Sequence, residues 1–120
     1  MARFLIVDDS RTSRKILRGI LEGAGHEIVG EATNGEEGYL QYIEYRPDVV
    51  TMDITMPVLD GIGGLKKIKE DFPNAKVLMV TAAGQKGKIV EAIENGADEF
   101  LPKPFEADQL KAVIEKVLAN

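Results

Sequence analysis

Short apolar runs alternate along the chain with longer segments in which apolar residues recur at helical spacing. The runs are Phe4–Val7, Ile28–Glu31, Val49–Met52, Val77–Val80 and Phe100–Leu101. The first, third and fourth are apolar almost throughout, which is typical of strands covered on both faces of a parallel sheet. The second and fifth are shorter or more mixed, which favours positions at the sheet edges.

Five amphipathic helices are predicted between and after these strands, each with an apolar stripe at one-face spacing. The stripes are Ile16, Leu17, Ile20, Leu21 and Ala24; Tyr39, Tyr42 and Ile43; Ile62, Leu65, Ile68 and Phe72; Ile89, Val90, Ile93 and Ala97; and Leu110, Val113, Ile114, Val117 and Leu118. Five strand–helix units in series predict an α/β fold with a doubly wound, five-stranded parallel sheet and right-handed crossovers. The pattern leaves two strand orders open, 3-2-1-4-5 and 2-1-3-4-5, and both place a site at the carboxyl ends of the strands where the order reverses.

Composition narrows the class of protein. The 120 residues fit one domain, and we expect residues 1–120 to form it with no linker or second domain. The absence of cysteine excludes a disulfide scaffold, thiolate metal sites and a cysteine nucleophile. A net charge of -5 disfavours nucleic acid as a partner. No apolar run is long enough to span a membrane, and the first residues lack a signal-peptide layout, so we expect a cytoplasmic monomer.

The residues that end the predicted strands carry the candidate chemistry. Asp8 and Asp9 follow strand 1, Asp53 ends strand 3, Thr81 ends strand 4 and Lys103 follows strand 5. Each alone has an ordinary interpretation as a helix cap, a turn residue or a solvated charge. Together they place three carboxylates on one rim, where they repel one another unless a cation lies among them. A hard ion such as Mg²⁺ prefers oxygen ligands, so the rim suits a phosphoryl group with its metal.

Motifs spread over the whole chain resemble one known family. They are Leu5-Ile6-Val7-Asp8-Asp9-Ser10, Gly30-Glu31-Ala32-Thr33-Asn34-Gly35, Pro47 to Pro57 around Asp53, Asp60-Gly61, Thr81-Ala82-Ala83 and Gly96 to Phe105 around Lys103. In this order and at these spacings they resemble the receiver domain of two-component response regulators, most closely the single-domain receivers of chemotaxis. The resemblance implies the flavodoxin-like strand order 2-1-3-4-5.

The resemblance also implies roles for the rim residues. Asp53 corresponds to the phosphoacceptor, and Mg²⁺ would be bound by Asp9, Asp53 and the backbone carbonyl of Thr55, with Asp8 acting largely through water. Thr81 and Lys103 correspond to the hydroxyl and the lysine that contact the phosphoryl group. Phe100 corresponds to an aromatic switch residue and lacks the hydroxyl of the tyrosine that many chemotaxis receivers carry there. By its residue type alone, Phe100 could equally be a buried core aromatic.

The implied function is a signalling switch that accepts a phosphoryl group from a histidine kinase and passes the signal to a protein target, with the flagellar motor first among targets. A dedicated phosphatase is a further possible partner. A phosphorelay intermediate is the alternative within the family. A flavodoxin-type electron carrier would need a hydroxyl- and glycine-rich loop where this chain has Asp8-Asp9-Ser10-Arg11, and an aspartyl phosphatase usually has a second aspartate where this chain has Thr55.

Two local features are also predicted. The Lys103–Pro104 peptide bond is expected to be cis, since in the family it directs the lysine. The segment Ala82–Lys88 contains two glycines and no bulky anchor, so it is expected to be the mobile part of the switch.

Overall fold

One five-stranded parallel sheet, in the order β2-β1-β3-β4-β5, organises the computed structural model, which describes residues 1–120. The strands are β1 (Arg3–Val7), β2 (Glu27–Ala32), β3 (Val49–Asp53), β4 (Val77–Thr81) and β5 (Glu99–Pro102). The helices are α1 (Arg11–Gly23), α2 (Gly35–Tyr45), α3 (Gly61–Asp71), α4 (Lys86–Glu94) and α5 (Ala107–Ala119). The predicted fold class and the order 2-1-3-4-5 are confirmed, with β2 and β5 at the edges.

Two apolar clusters cover the two faces of the sheet. Helices α2, α3 and α4 pack on one face, where Tyr42, Leu65 and Ala92 join the cluster around Leu5 and Met52. Helices α1 and α5 pack on the other face, where the cluster includes Leu17, Leu21, Leu110, Ile114 and Val117. Because β1, β3 and β4 are covered on both faces, their apolar runs are almost completely buried.

The buried face of α4 differs from the predicted stripe. Val90 and Ile93 are more than half exposed, whereas Ala92 is buried and Ile89 and Ala97 pack against the core. The short side chain of Ala92 joins the core, whereas Val90 and Ile93 point to solvent. The stripe on α1 is similarly narrower than predicted, since Leu17 and Leu21 are buried and Ile16 is exposed.

The segment after β4 is partly helical, while the mobility of Ala82–Lys88 stays a prediction. Helix α4 already begins at Lys86, so only Ala82–Gln85 form the loop, and the side chain of Gln85 anchors it. The Lys103–Pro104 bond is cis, as predicted. None of the helices combines the length and the apolar character that crossing a bilayer requires.

Candidate functional site

Three aspartates meet at the carboxyl ends of β1 and β3, which are neighbours in the sheet. One carboxylate oxygen from each of Asp8, Asp9 and Asp53 lies within 4.8 Å of the others. Asp8 is fully buried and Asp53 is buried, while Asp9 is exposed. The cluster therefore opens to solvent on the side of Asp9.

Lys103 supplies the positive charge that partly balances this cluster. Its Nζ lies 3.2 Å from Asp8 Oδ2 and 3.5 Å from Asp53 Oδ2. The ammonium reaches the cluster across β4, because β5 pairs with β4 and Lys103 directly follows β5. One lysine faces three carboxylates, so the site keeps an excess of negative charge.

The two oxygens of the Asp53 carboxylate have different surroundings. Oδ1 accepts a hydrogen bond of 2.9 Å from the backbone N–H of Ile54, while Oδ2 faces Lys103. Burial raises the pKa of Asp53; the charge of Lys103 opposes this shift and that of Asp8 adds to it. Oδ1 is therefore held by the backbone, and Oδ2 is the oxygen that faces the ammonium group.

Close packing of the start of α3 against the end of β3 holds the backbone of Asp53 in place. Gly61, the first residue of α3, donates its N–H to the carbonyl of Ile54 at 2.7 Å. A Cβ at Gly61 would lie 1.9 Å from the carbonyl oxygen of Asp53, so no larger residue fits without displacing β3. The Asp60-Gly61 pair is therefore explained by this close approach, with Asp60 capping α3 through its side chain.

Thr81 brings an unpaired hydroxyl to the same rim. Its Oγ1 is buried and has no hydrogen-bond partner. Leaving a buried polar group unpaired costs about 1–3 kcal/mol. A hydroxyl in this state at the edge of the cluster is available to donate to a group that enters the site.

Gln85 spans the mouth of the site, and sequence reasoning missed it. Its Oε1 accepts a hydrogen bond of 3.0 Å from the backbone N–H of Ala82, and its Nε2 donates to Thr55 Oγ1. The loop after β4 is thereby tied to the loop after β3. The only signal in the sequence was a polar side chain at the position that precedes α4, where it could cap its own loop.

Arg14 is a second residue that sequence reasoning missed. Its Nη1 donates to the backbone carbonyl of Asp8 at 2.7 Å, and its Nε pairs with Glu31 at 3.0 Å. Arg18 pairs with the same carboxylate at 2.8 Å. These contacts secure the backbone of the first aspartate to α1 and β2.

Phe100 lies on β5 with its side chain 42% exposed. The alternative of a buried core aromatic is therefore wrong for this state. Its neighbour in the sheet is Met79 of β4, two residues before Thr81.

The donor set fits a hard divalent cation. Carboxylate oxygens are the ligands that Mg²⁺ prefers, and the negative charge of the cluster exceeds what Lys103 offsets. Asp9 is the exposed member of the cluster, and Thr55, two residues after Asp53, is also exposed. The aspartate cluster is therefore suited to hold Mg²⁺.

Comparisons with known proteins agree with this geometry. Residues 4–115 match the family described as "Response regulator receiver domain". The chain is 46% identical over 115 residues to the chemotaxis protein CheY of Thermotoga maritima, covering 96% of each chain. It is also 46% identical over 120 residues to protein CcdB of Bacillus subtilis, covering 100% of both. A receiver domain protein from Clostridium thermocellum superposes with a TM-score of 0.92 at 31% identity, over 99% of this chain and 95% of that one.

The chain belongs to the response regulator receiver domain family. It is thus a receiver domain of a two-component system, a signalling protein similar to CheY. The relatives with full-length coverage include proteins named for chemotaxis and one that is not.

Proposed function

We propose that this protein is a phosphorylation-activated switch in which Asp53 accepts a phosphoryl group from a histidine kinase. One observation supports the proposal above the others. A buried carboxylate lies within 4.8 Å of two more carboxylates, and a lysine Nζ contacts two of the three. The membership of the chain in the receiver family gives this arrangement its chemical meaning.

Each rim residue has a defined part in the transfer. Oδ2 of Asp53 forms the new bond to phosphorus, since Oδ1 is held by the Ile54 N–H. Lys103 Nζ offsets negative charge on the transferred oxygens, and the free hydroxyl of Thr81 donates to one of them. Mg²⁺ would be held by Asp9, Asp53 and the backbone carbonyl of Thr55, with Asp8 acting through water, and it would supply charge neutralisation at the phosphoryl oxygens.

The signal would leave through the surface made by α4, β5 and α5, which we propose binds the target. Val90, Ile93 and Phe100 expose large apolar side chains on α4 and β5. Scattered apolar residues are normal on a protein surface, whereas grouped ones favour protein contacts. The similarity to CheY supports a chemotaxis-type kinase (CheA-like) and the flagellar motor switch as partners. Transfer to a histidine phosphotransfer protein is the outcome that would favour the phosphorelay alternative.

Phosphorylation of purified protein by acetyl phosphate and Mg²⁺ tests the site. We expect intact-mass spectrometry to show one added phosphoryl group on the parent and none on Asp53→Asn. Asp9→Ala should reduce the labelling rate at least about 100-fold, the upper end of the loss caused by removing an outer partner of a metal site.

Glu44→Ala is the matched control, because it removes an exposed carboxylate on α2 that has no hydrogen-bond partner. It should label at the parental rate. Normal labelling of Asp9→Ala, with the same fold by circular dichroism, would refute the assignment of the metal ligands.

A further inference from the structure

A mostly apolar cavity of about 440 Å³ opens beside the aspartate cluster. Ile16 and Leu17 of α1 form one wall, Ala83 of the loop after β4 forms a second, and Phe105 forms a third. Leu17 is buried and Phe105 packs against the core, so the core holds these two wall residues in place. Lys103 also lines the cavity.

Lys103 connects this cavity with the acceptor. The ammonium that lies 3.5 Å from Asp53 Oδ2 also lies 3.4 Å from the hydroxyl oxygen of Ser13, another residue of the cavity lining. Ser13 Oγ accepts from Lys103 there, so its own hydrogen is free to donate. The Asp53 carboxylate, the Lys103 ammonium, the Ser13 hydroxyl and the apolar cavity therefore follow one another in space.

We propose that this cavity binds the acyl group of small acyl phosphates and selects those with an aromatic or branched hydrocarbon group. The inference rests on the proposed function of Asp53. The phosphoryl group would lie at Asp53 and Lys103, the acyl oxygens at Ser13 and Lys103, and the hydrocarbon against Ile16, Leu17 and Phe105. An apolar cavity of about 150 Å³ already binds benzene, so one ring fits in this space.

The transfer balances without a further reactant. Oδ2 of Asp53 forms a bond to phosphorus, and the bond between phosphorus and the acyl oxygen breaks. The electron pair leaves with the carboxylate product, which Lys103 and the Ser13 hydroxyl can receive. No proton transfer or redox step is needed. Acyl phosphates differ only in their leaving group, so selectivity depends on how well the cavity accepts that group.

A comparison of acetyl phosphate with benzoyl phosphate tests the proposal, with the labelling rate of Asp53 measured against donor concentration in Mg²⁺. Both donors are acyl phosphates, and only benzoyl phosphate has a group large enough to occupy the cavity. We expect benzoyl phosphate to reach half-maximal rate at about a tenfold lower concentration, which corresponds to about 1.4 kcal/mol.

Two variants and one control assign the preference to the cavity. Ile16→Ser makes an exposed wall residue polar and Ala83→Leu fills the space, so each should reduce the preference for benzoyl phosphate over acetyl phosphate at least about threefold. Leu40→Ser is the control, because Leu40 on α2 is 54% exposed and Ile16 is 53% exposed.

The outcomes separate this inference from the proposed function. If acetyl phosphate labels Asp53 but benzoyl phosphate shows no advantage, the cavity does not select donors and the inference is wrong. It is also wrong if the advantage survives in both cavity variants. If neither donor labels Asp53, the proposed function fails, and the inference fails with it.

Discussion

Thr81 and Asp53 illustrate how single residues at the rim are prepared to react. Asp53 has Oδ1 engaged by a backbone N–H and Oδ2 beside an ammonium group, and Oδ2 is the oxygen that we propose forms the bond to phosphorus. Thr81 has a buried hydroxyl without a partner, a cost that a phosphoryl oxygen on Asp53 could relieve. The Thr81 hydroxyl is thus a group that a phosphoryl oxygen in the proposed site could engage.

His26 makes a pH-dependent contribution to stability away from the site. Its Nδ1 accepts a hydrogen bond of 3.0 Å from the backbone N–H of Ala2, and its ring lies 5.0 Å from that of Phe4. Burial and the nearby amino terminus lower the pKa of His26. Lys111 and Glu115 of α5 line the same cleft. The contact with Ala2 joins residues 24 positions apart, so the pattern of the sequence does not reveal it.

The sign of this effect follows from the lowered pKa. As pH falls below the unfolded value of about 6.5, the unfolded chain binds a proton before the folded chain does, so the free energy of unfolding decreases. Protonation of the folded state also removes the acceptor of a hydrogen bond that contributes about 0.5–1.5 kcal/mol. Urea denaturation at pH 7.5 and pH 5.5 should show a larger loss for the parent than for His26→Gln. Equal losses in the two proteins would contradict this role.

At the scale of elements, the sequence predicted the strands well and the helix faces less well. Short, almost continuous apolar runs located β1, β3 and β4 to within one residue, because strands buried on both faces have apolar residues at successive positions. The rule that parallel strands end on one rim then brought Asp8, Asp9, Asp53 and Lys103 together.

The apolar stripe predicted for α4 was partly wrong. A helix with apolar residues on two sides can bury either side, and here Ala92 faces inward. Gln85 and Arg14 act through contacts between distant elements, which periodicity does not encode.

The loop between β4 and α4 is anchored chiefly through Gln85, which provides a prediction for this element. Gln85→Ala removes the acceptor of the Ala82 N–H and the donor to Thr55. We expect hydrogen exchange at Ala82 to accelerate about two- to tenfold, as the loss of one hydrogen bond implies. In the parent, exchange across Ala82–Gln85 should slow after phosphorylation, because the phosphoryl group offers the loop a new acceptor.

Gln109→Ala serves as the control for this loop. Gln109 Oε1 accepts the N–H of Glu106 at 2.7 Å, so the same substitution breaks the same type of contact at the start of α5. Its effect should stay at Glu106 and leave Ala82 unchanged. Unaltered exchange at Ala82 in Gln85→Ala would show that the side chain does not hold the loop.

At the scale of the whole molecule, the proposed phosphorylation of Asp53 has to change the shape of a surface about two strands away. β4 carries Thr81 and pairs with β5, which carries Phe100, and the backbone N–H of Lys103 donates to the carbonyl of Thr81. If the Thr81 hydroxyl moves toward a phosphoryl group on Asp53, it vacates space beside β5. Phe100 can turn into that space, since its ring has no polar atom to satisfy. Phosphorylation would then shift the population between two packings of one fold.

Thr81→Val tests this route, because it keeps the shape of the side chain and removes only the hydroxyl. That hydroxyl has no partner at rest, so the variant should be as stable as the parent or up to about 1–3 kcal/mol more stable. It should still take up a phosphoryl group on Asp53 with acetyl phosphate and Mg²⁺. We expect the ring resonances of Phe100 to shift on phosphorylation of the parent and to stay at their resting positions in the variant. Phe100→Tyr is the complementary change and should label at the parental rate, since the exposed ring lies outside the aspartate cluster. A full Phe100 response in phosphorylated Thr81→Val would mean that the signal leaves Asp53 by another path, with the Lys103 contact to the carboxylates as the next candidate.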